Sequence, residues 1–231
     1  MVMFSAEEAL EALAARVYAY RVLHIVFGSE PTEQELQLLK SPETLQACQA
    51  LAAVGYPVES LIDQVGLKDE AVSEASTTEL LRNQFTRLFA VPGDSYVKPW
   101  ESVYVGKTDV LFTQVTLDVR SRYEALGFKA QEKGHFPEDH LSMMLDFMGA
   151  VAERAYEAAA SGDDAEAQRL VEAQVAFAQQ HLANWLPLFC EALEAKDATG
   201  FFAAYAQVTR AFVEADQALA SQLVASLSSN E

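Results

Sequence analysis

Two short segments combine ionisable and aromatic side chains at close spacing. One is Phe136-Pro137-Glu138-Asp139-His140-Leu141, which sets acids beside a titratable imidazole at the start of a helical pattern. The other is Lys98-Pro99-Trp100-Glu101-Ser102-Val103-Tyr104, an aromatic-rich stretch within 91–107. Loops are usually polar, so an aromatic loop needs a surface to pack on or a ligand to hold. If Asp139 and His140 face a groove beside that loop, the groove offers negative charge plus apolar contact. That chemistry suits a basic, partly hydrophobic peptide. A structural reading stands beside it. Pro137 opens a helix, Glu138 and Asp139 complement its positive end, and Leu141, Met144, Leu145 and Met148 fall at core spacing.

Other chemistries find little support. Val105-Gly106-Lys107-Thr108 resembles the end of a phosphate-binding loop, but the position that needs the first glycine is Glu101, whose carboxylate would repel phosphate. The single Glu-x-x-His runs from Glu132 to His135 and is interrupted by Gly134, and the four histidines lack i, i+4 pairing, so no metal site or cofactor is expected. There is no Gly-x-Ser-x-Gly and no plausible Cys–His nucleophile. Cys48 and Cys190 lie far apart within apolar helical patterns and read as buried thiols.

The elements that must position these segments are helices. Ser5 with Glu8 and Thr32 with Glu35 form capping boxes, and Ser41-Pro42 is a third start signal. They open helices over 7–27, 32–39 and 42–55, with Gly28 ending the first. A short helix is expected over 57–65 and another over 78–89, with Phe85, Leu88 and Phe89 on its core side. The stretch from Thr108 to Leu126 is rich in β-branched residues, which favours strand. Leu111, Val115, Val119 and Leu126 nevertheless keep helical spacing, and helix is the reading taken. Long helices follow over 137–160, 163–183 and 199–227, with a shorter one over 185–195, and 228–231 is a frayed tail. The prediction is an all-α protein of about nine helices. An N-terminal part (1–126) with shorter helices joins a C-terminal part (137–231) through a hinge at 127–136, where domain exchange between chains could occur.

Composition narrows the function further. The 231 residues carry 16 basic and 34 acidic side chains, a net charge of -18. Such a chain repels phosphate backbones and anionic membranes and attracts cationic peptides, so neither nucleic acid nor stable membrane insertion is expected. The first eight residues lack a basic n-region and an apolar h-region, and no apolar run reaches about 18 residues, which points to the cytoplasm.

In order and separation, the two segments resemble motifs of the TorD/DmsD family of cytoplasmic chaperones for molybdenum oxidoreductases, related more distantly to NarJ. Phe85, Leu88 and Phe89, then Pro99, Trp100, Ser102, Val103 and Tyr104, match the first motif. Pro137, Asp139, His140 and Leu141 match the second, where Phe136 replaces the family's glutamate and Glu138 stands nearby as a substitute. The resemblance implies a chaperone that is not an enzyme and needs no cofactor. It would bind the twin-arginine signal peptide and the apo-form of a molybdoenzyme catalytic subunit, assist cofactor insertion and delay export. Trp100, Tyr104, Asp139 and His140 are the contact candidates, with Pro99 and Ser102 shaping the loop. The chain would act as a monomer or a domain-swapped homodimer. A nucleotide-dependent switch at Gly106-Lys107-Thr108, or a helical adaptor without signal-peptide recognition, are the other readings.

Overall fold

The computed structural model describes residues 4–58, 74–106, 110–129 and 137–227. Residues 59–65 of the short helix expected over 57–65, the Lys107-Thr108 turn, the hinge beyond residue 129 with Glu132 and His135, and the tail at 228–231 lie outside them.

The start signals act as sequence chemistry predicts. Ser5 Oγ accepts from the Glu8 amide at 3.2 Å while Glu8 reaches back to the Ser5 amide at 2.8 Å, opening α1 (Ala6–Gly28). Thr32 and Glu35 repeat this at α2 (Glu33–Leu39). Ser41 caps α3 (Pro42–Ala53), with Pro42 in the first turn, where a missing amide costs nothing. At the far end of α3, Gly55 takes φ +96°, and the Gly55 and Tyr56 amides close onto the Ala52 and Leu51 carbonyls, each at 3.0 Å. Such a left-handed stop favours glycine. Gly28 behaves differently from expectation. It is the last helical residue of α1, and a side chain there would come within 3.0 Å of Ser142 Oγ. Its smallness serves close approach rather than a left-handed stop.

Next come α4 (Glu74–Phe85), which runs on as a π-helical turn over Thr86–Ala90, α5 (Glu101–Gly106) and α6 (Gln114–Ala125). The C-terminal part contains α7 (Leu141–Ala160), α8 (Asp164–His181), α9 (Leu186–Glu194) and α10 (Phe201–Leu227). The fold is all-α, and the β-branched stretch is helix rather than strand. Two boundaries move: α6 begins after Thr113 instead of Thr108, and α7 begins after His140 instead of at Pro137. Pro137, Glu138 and Asp139 sit in a turn before α7, so neither acid belongs to its first turn. The expected loop at 91–107 contains α5.

At the centre, α1 packs along α7, α3 and α10, while α8 closes on α7 and α10. Leu141, Met144, Leu145 and Met148 of α7 are fully buried, as their spacing requires. Phe27, Phe85, Phe89, Phe189 and Phe202 form one aromatic cluster, with Phe85 and Phe89 5.1 Å apart edge to face. This cluster absorbs the apolar residues of the first motif: Phe85 and Leu88 are buried, and Phe89 packs against them. Cys190 is buried, and Cys48 on α3 is half-buried.

The interior also holds a charge pair. Arg16 of α1 is fully buried and grips Asp216 of α10 through Nε and Nη2, while the Tyr20 and Tyr56 hydroxyls donate to the same carboxylate. Burial pushes the Asp216 carboxyl upward, but Arg16 and these donors outweigh it and hold it below the usual carboxylate range. Among the described residues, no helix is long and apolar enough to cross a membrane.

Candidate functional site

The two motif segments, far apart in sequence, dock directly on each other. The Leu141 amide donates to the Pro99 carbonyl at 2.9 Å and the Glu101 amide to the Asp139 carbonyl at 3.1 Å. Trp100 and His140 thereby form an isolated antiparallel bridge, with their rings 5.3 Å apart edge to face. Short pieces of extended backbone thus seam the N-terminal helices to the start of α7.

Asp139 is the centre of this seam. Its side chain is fully buried. One carboxylate oxygen accepts the Ser102 amide at 2.8 Å, and the other accepts the Thr116 hydroxyl at 2.8 Å. The Ser102 amide is one of the unsatisfied donors at the start of α5, so Asp139 caps that helix from another part of the chain. The same side chain ties α5 to α6. The acid expected to meet a partner's arginines is therefore occupied inside the protein.

Glu138 is also buried. It forms a forked pair with Arg120 of α6 at 2.6 and 2.9 Å, and its carbonyl accepts the Tyr123 hydroxyl at 3.0 Å. His140 caps α7, its Nδ1 accepting the Ser142 amide at 3.1 Å. Burial, with the neighbouring His24 as a smaller cause, lowers the His140 pKa to about 3. The ring is neutral at pH 7, and a neutral Nδ1 is what the cap requires. Pro99 and Ser102 are buried, and Ser102 Oγ has no hydrogen-bond partner among the described residues.

Trp100 and Tyr104 are partly exposed. Tyr104 stacks on Trp185 at 5.4 Å and meets the Phe189 edge at 6.4 Å. The structure therefore separates the seven expected site residues into two groups. Asp139, Glu138, His140, Pro99 and Ser102 are buried parts of the seam, whereas Trp100 and Tyr104 are partly exposed.

Sequence reasoning missed a second polar set beside them. Glu101 is buried, its Oε2 3.0 Å from His181 Nδ1 and its Oε1 accepting Asn184 Nδ2 at 3.3 Å. Burial raises the Glu101 carboxyl above the usual range, and His181 pulls it partly back. The other nitrogen of His181 lies 3.2 Å from Asp118 Oδ2 on α6, and Trp185 Nε1 donates to the His181 carbonyl at 2.6 Å. One signal was available: His181 falls in the last turn of a long helix, where the dipole favours a cation. Nothing in the sequence pairs it with Glu101, 80 residues away. Just before α6, Phe112 holds φ +57° and is half-exposed. Among the described residues, no group of three or more His, Cys, Asp or Glu side chains could hold a metal ion.

Comparison with known proteins places this architecture in a context. Residues 48–191 match the model of the family described as nitrate reductase delta subunit. The matched span includes both motif segments. A protein named chaperone protein TorD from Photobacterium profundum is 31% identical over 138 residues, covering 60% of this chain and 62% of that protein. Its namesake from Vibrio cholerae serotype O1 (strain ATCC 39541) is 28% identical over 213 residues, covering 90% and 93%. Another from Aliivibrio salmonicida is 23% identical over 201 residues, covering 87% and 92%.

Proposed function

Since the chain belongs to the nitrate reductase delta subunit family, we propose that it is a cytoplasmic chaperone that binds the twin-arginine signal peptide and apo-form of a molybdenum-containing oxidoreductase. The relatives that align over most of its length are named chaperones, not enzymes. Maturation of a redox enzyme without catalysis is the coarse function this supports. The finer reading adds recognition of the signal peptide, retention of the client until its cofactor is inserted, and only then release for export.

The observation that carries this reading is the seam. Residues 99–102 and 139–141 form an internally bonded joint in which Trp100, and Tyr104 just after it, stay partly exposed. Partly exposed aromatic side chains packed on His140 and Trp185, on a chain of net charge -18, suit a peptide that carries arginines followed by apolar residues. In this reading Trp100 and Tyr104 touch the peptide. Asp139, Glu138, His140, Pro99 and Ser102 are positioning residues, acting through the segments they hold. The chain itself needs no cofactor for this role.

Isothermal titration with a peptide carrying two adjacent arginines, against the same peptide with two lysines, tests the reading. Arginine presents a planar fork that lysine lacks, so the arginine peptide is expected to bind measurably tighter. Equal binding of the two, or none, contradicts signal-peptide recognition.

A further inference from the structure

The proposed function leaves open which carboxylate receives an arginine, because the acids of the two motif segments are buried. Glu101, Glu138 and Asp139 are each at most 2% exposed and already bonded within the protein. Asp118 differs. It lies on α6, two residues after the Thr116 that binds Asp139, and 48% of its side chain is exposed. Resting on the signal-peptide reading, we infer that Asp118, braced by His181, is the site that receives an arginine side chain of the bound peptide.

A carboxylate on a helix surface is not a site by itself. The second observation is the group behind it. His181 is 4% exposed, and its Nδ1 is held by Glu101 at 3.0 Å. Its Nε2 lies 3.2 Å from Asp118 Oδ2, yet makes no well-formed hydrogen bond to any described residue. A buried polar nitrogen without a full partner is costly. It is better placed when Asp118 is drawn into a fixed orientation by a ligand on its solvent side. Asp118, His181 and Glu101 thus form a line running from solvent to the interior, ending one residue from Trp100.

Exposed apolar side chains on and before α6 match the apolar half of such a ligand. Phe112 and Leu117 occupy the N′ and N4 positions of α6, and they are 50% and 48% exposed. Val105 and Val110, on either side of 107–109, are 42% and 61% exposed. An exposed carboxylate on a strongly acidic protein, on a helix whose start also exposes Phe112 and Leu117, fits a guanidinium flanked by hydrophobic residues. A carboxylate accepts the planar fork of arginine through both oxygens, and a lysine cannot reproduce this.

Fluorescence anisotropy with a labelled peptide carrying two adjacent arginines and an apolar stretch, beside its Lys-Lys counterpart, tests the inference on the full chain. Asp118→Asn is expected to weaken the arginine peptide about tenfold and to erase most of its advantage over the lysine peptide. Its thermal midpoint should stay at the wild-type value. Glu124→Gln, on the exposed surface of the same helix, removes an equal charge and should change little. The inference is overturned if Asp118→Asn binds the arginine peptide like wild type, or if both variants lose affinity equally. A wild-type chain that binds neither peptide instead removes the signal-peptide reading, and the assignment of Asp118 falls with it.

Discussion

Replacing Asp139 by asparagine separates a strut from a docking anion. The carboxylate is fully buried and accepts from the Ser102 amide and the Thr116 hydroxyl, both at 2.8 Å. Asparagine keeps one acceptor oxygen, which can stay with the Ser102 amide, a donor that cannot turn away. Its NH2 then faces Thr116 Oγ1, a hydroxyl able to rotate and accept. What is lost is the ionic character of both bonds. Hydrogen bonds to charged groups contribute about 1.5–3 kcal/mol each against about 1 for neutral ones, so the variant should lose on the order of 1–3 kcal/mol. Removing one of 18 net negative charges relieves some repulsion, but screening limits this to a few tenths of a kcal/mol at physiological salt. Asp139→Ala leaves both donors unpaired in the interior and should cost more, roughly 3–5 kcal/mol. Urea unfolding at pH 7 reads both values. Thr116→Val should be partly redundant with Asp139→Asn in a double-mutant cycle. An Asp139→Asn protein with an unshifted urea midpoint but no peptide binding would refute the strut and restore Asp139 as a contact.

Three further outcomes follow from the same geometry. His140 is held neutral down to about pH 3, whereas the unfolded chain takes up its proton near 6.5. The stability this provides is present above about pH 6.5 and is lost as pH falls toward 3, with a slope of at most about 1.4 kcal/mol per pH unit. His140→Asn, which can still cap α7, should flatten that difference in a series of thermal midpoints; an unchanged acid profile would contradict the neutral cap. Arg16→Leu strands Asp216 as an uncompensated buried charge and should cost about 3–5 kcal/mol in urea unfolding, far more than removing the exposed Arg21–Glu153 pair, which is worth at most about 1 kcal/mol. Trp100→Ala should weaken twin-arginine peptide binding by about 1–3 kcal/mol, read by titration calorimetry; wild-type affinity in a folded variant would remove Trp100 from the contact surface.

The parts of this fold legible in the sequence were those set by local chemistry. Ser5, Thr32 and Ser41 announce helix starts because a side-chain oxygen must satisfy an early amide within its own turn. The spacing of Leu141, Met144, Leu145 and Met148 announces a core face for a similar reason. What stayed hidden depends on partners distant in the chain. Asp139 looked like a helix-start acid because its neighbours permit that role. Its real donors, Ser102 and Thr116, lie 37 and 23 residues away. Pro137 looked like the first helical residue, but the Pro99 carbonyl takes the Leu141 amide and the helix begins later. Arg16 and Asp216 lie 200 residues apart, and nothing in either local pattern marks them as a buried pair. Burial of charge is a tertiary property, and no window of sequence contains it.

Co-expression with a molybdenum oxidoreductase subunit from the same host tests leader-dependent chaperoning. The subunit would be supplied with its own twin-arginine leader or with that leader changed to Lys-Lys, and both the captured complex and the molybdenum content of the purified reductase would be measured. The chain is expected to retain the apo-subunit only with the arginine leader, and omitting the chain should lower the molybdenum content. Capture that ignores the leader, together with molybdenum content that ignores the chain, would contradict leader-dependent chaperoning.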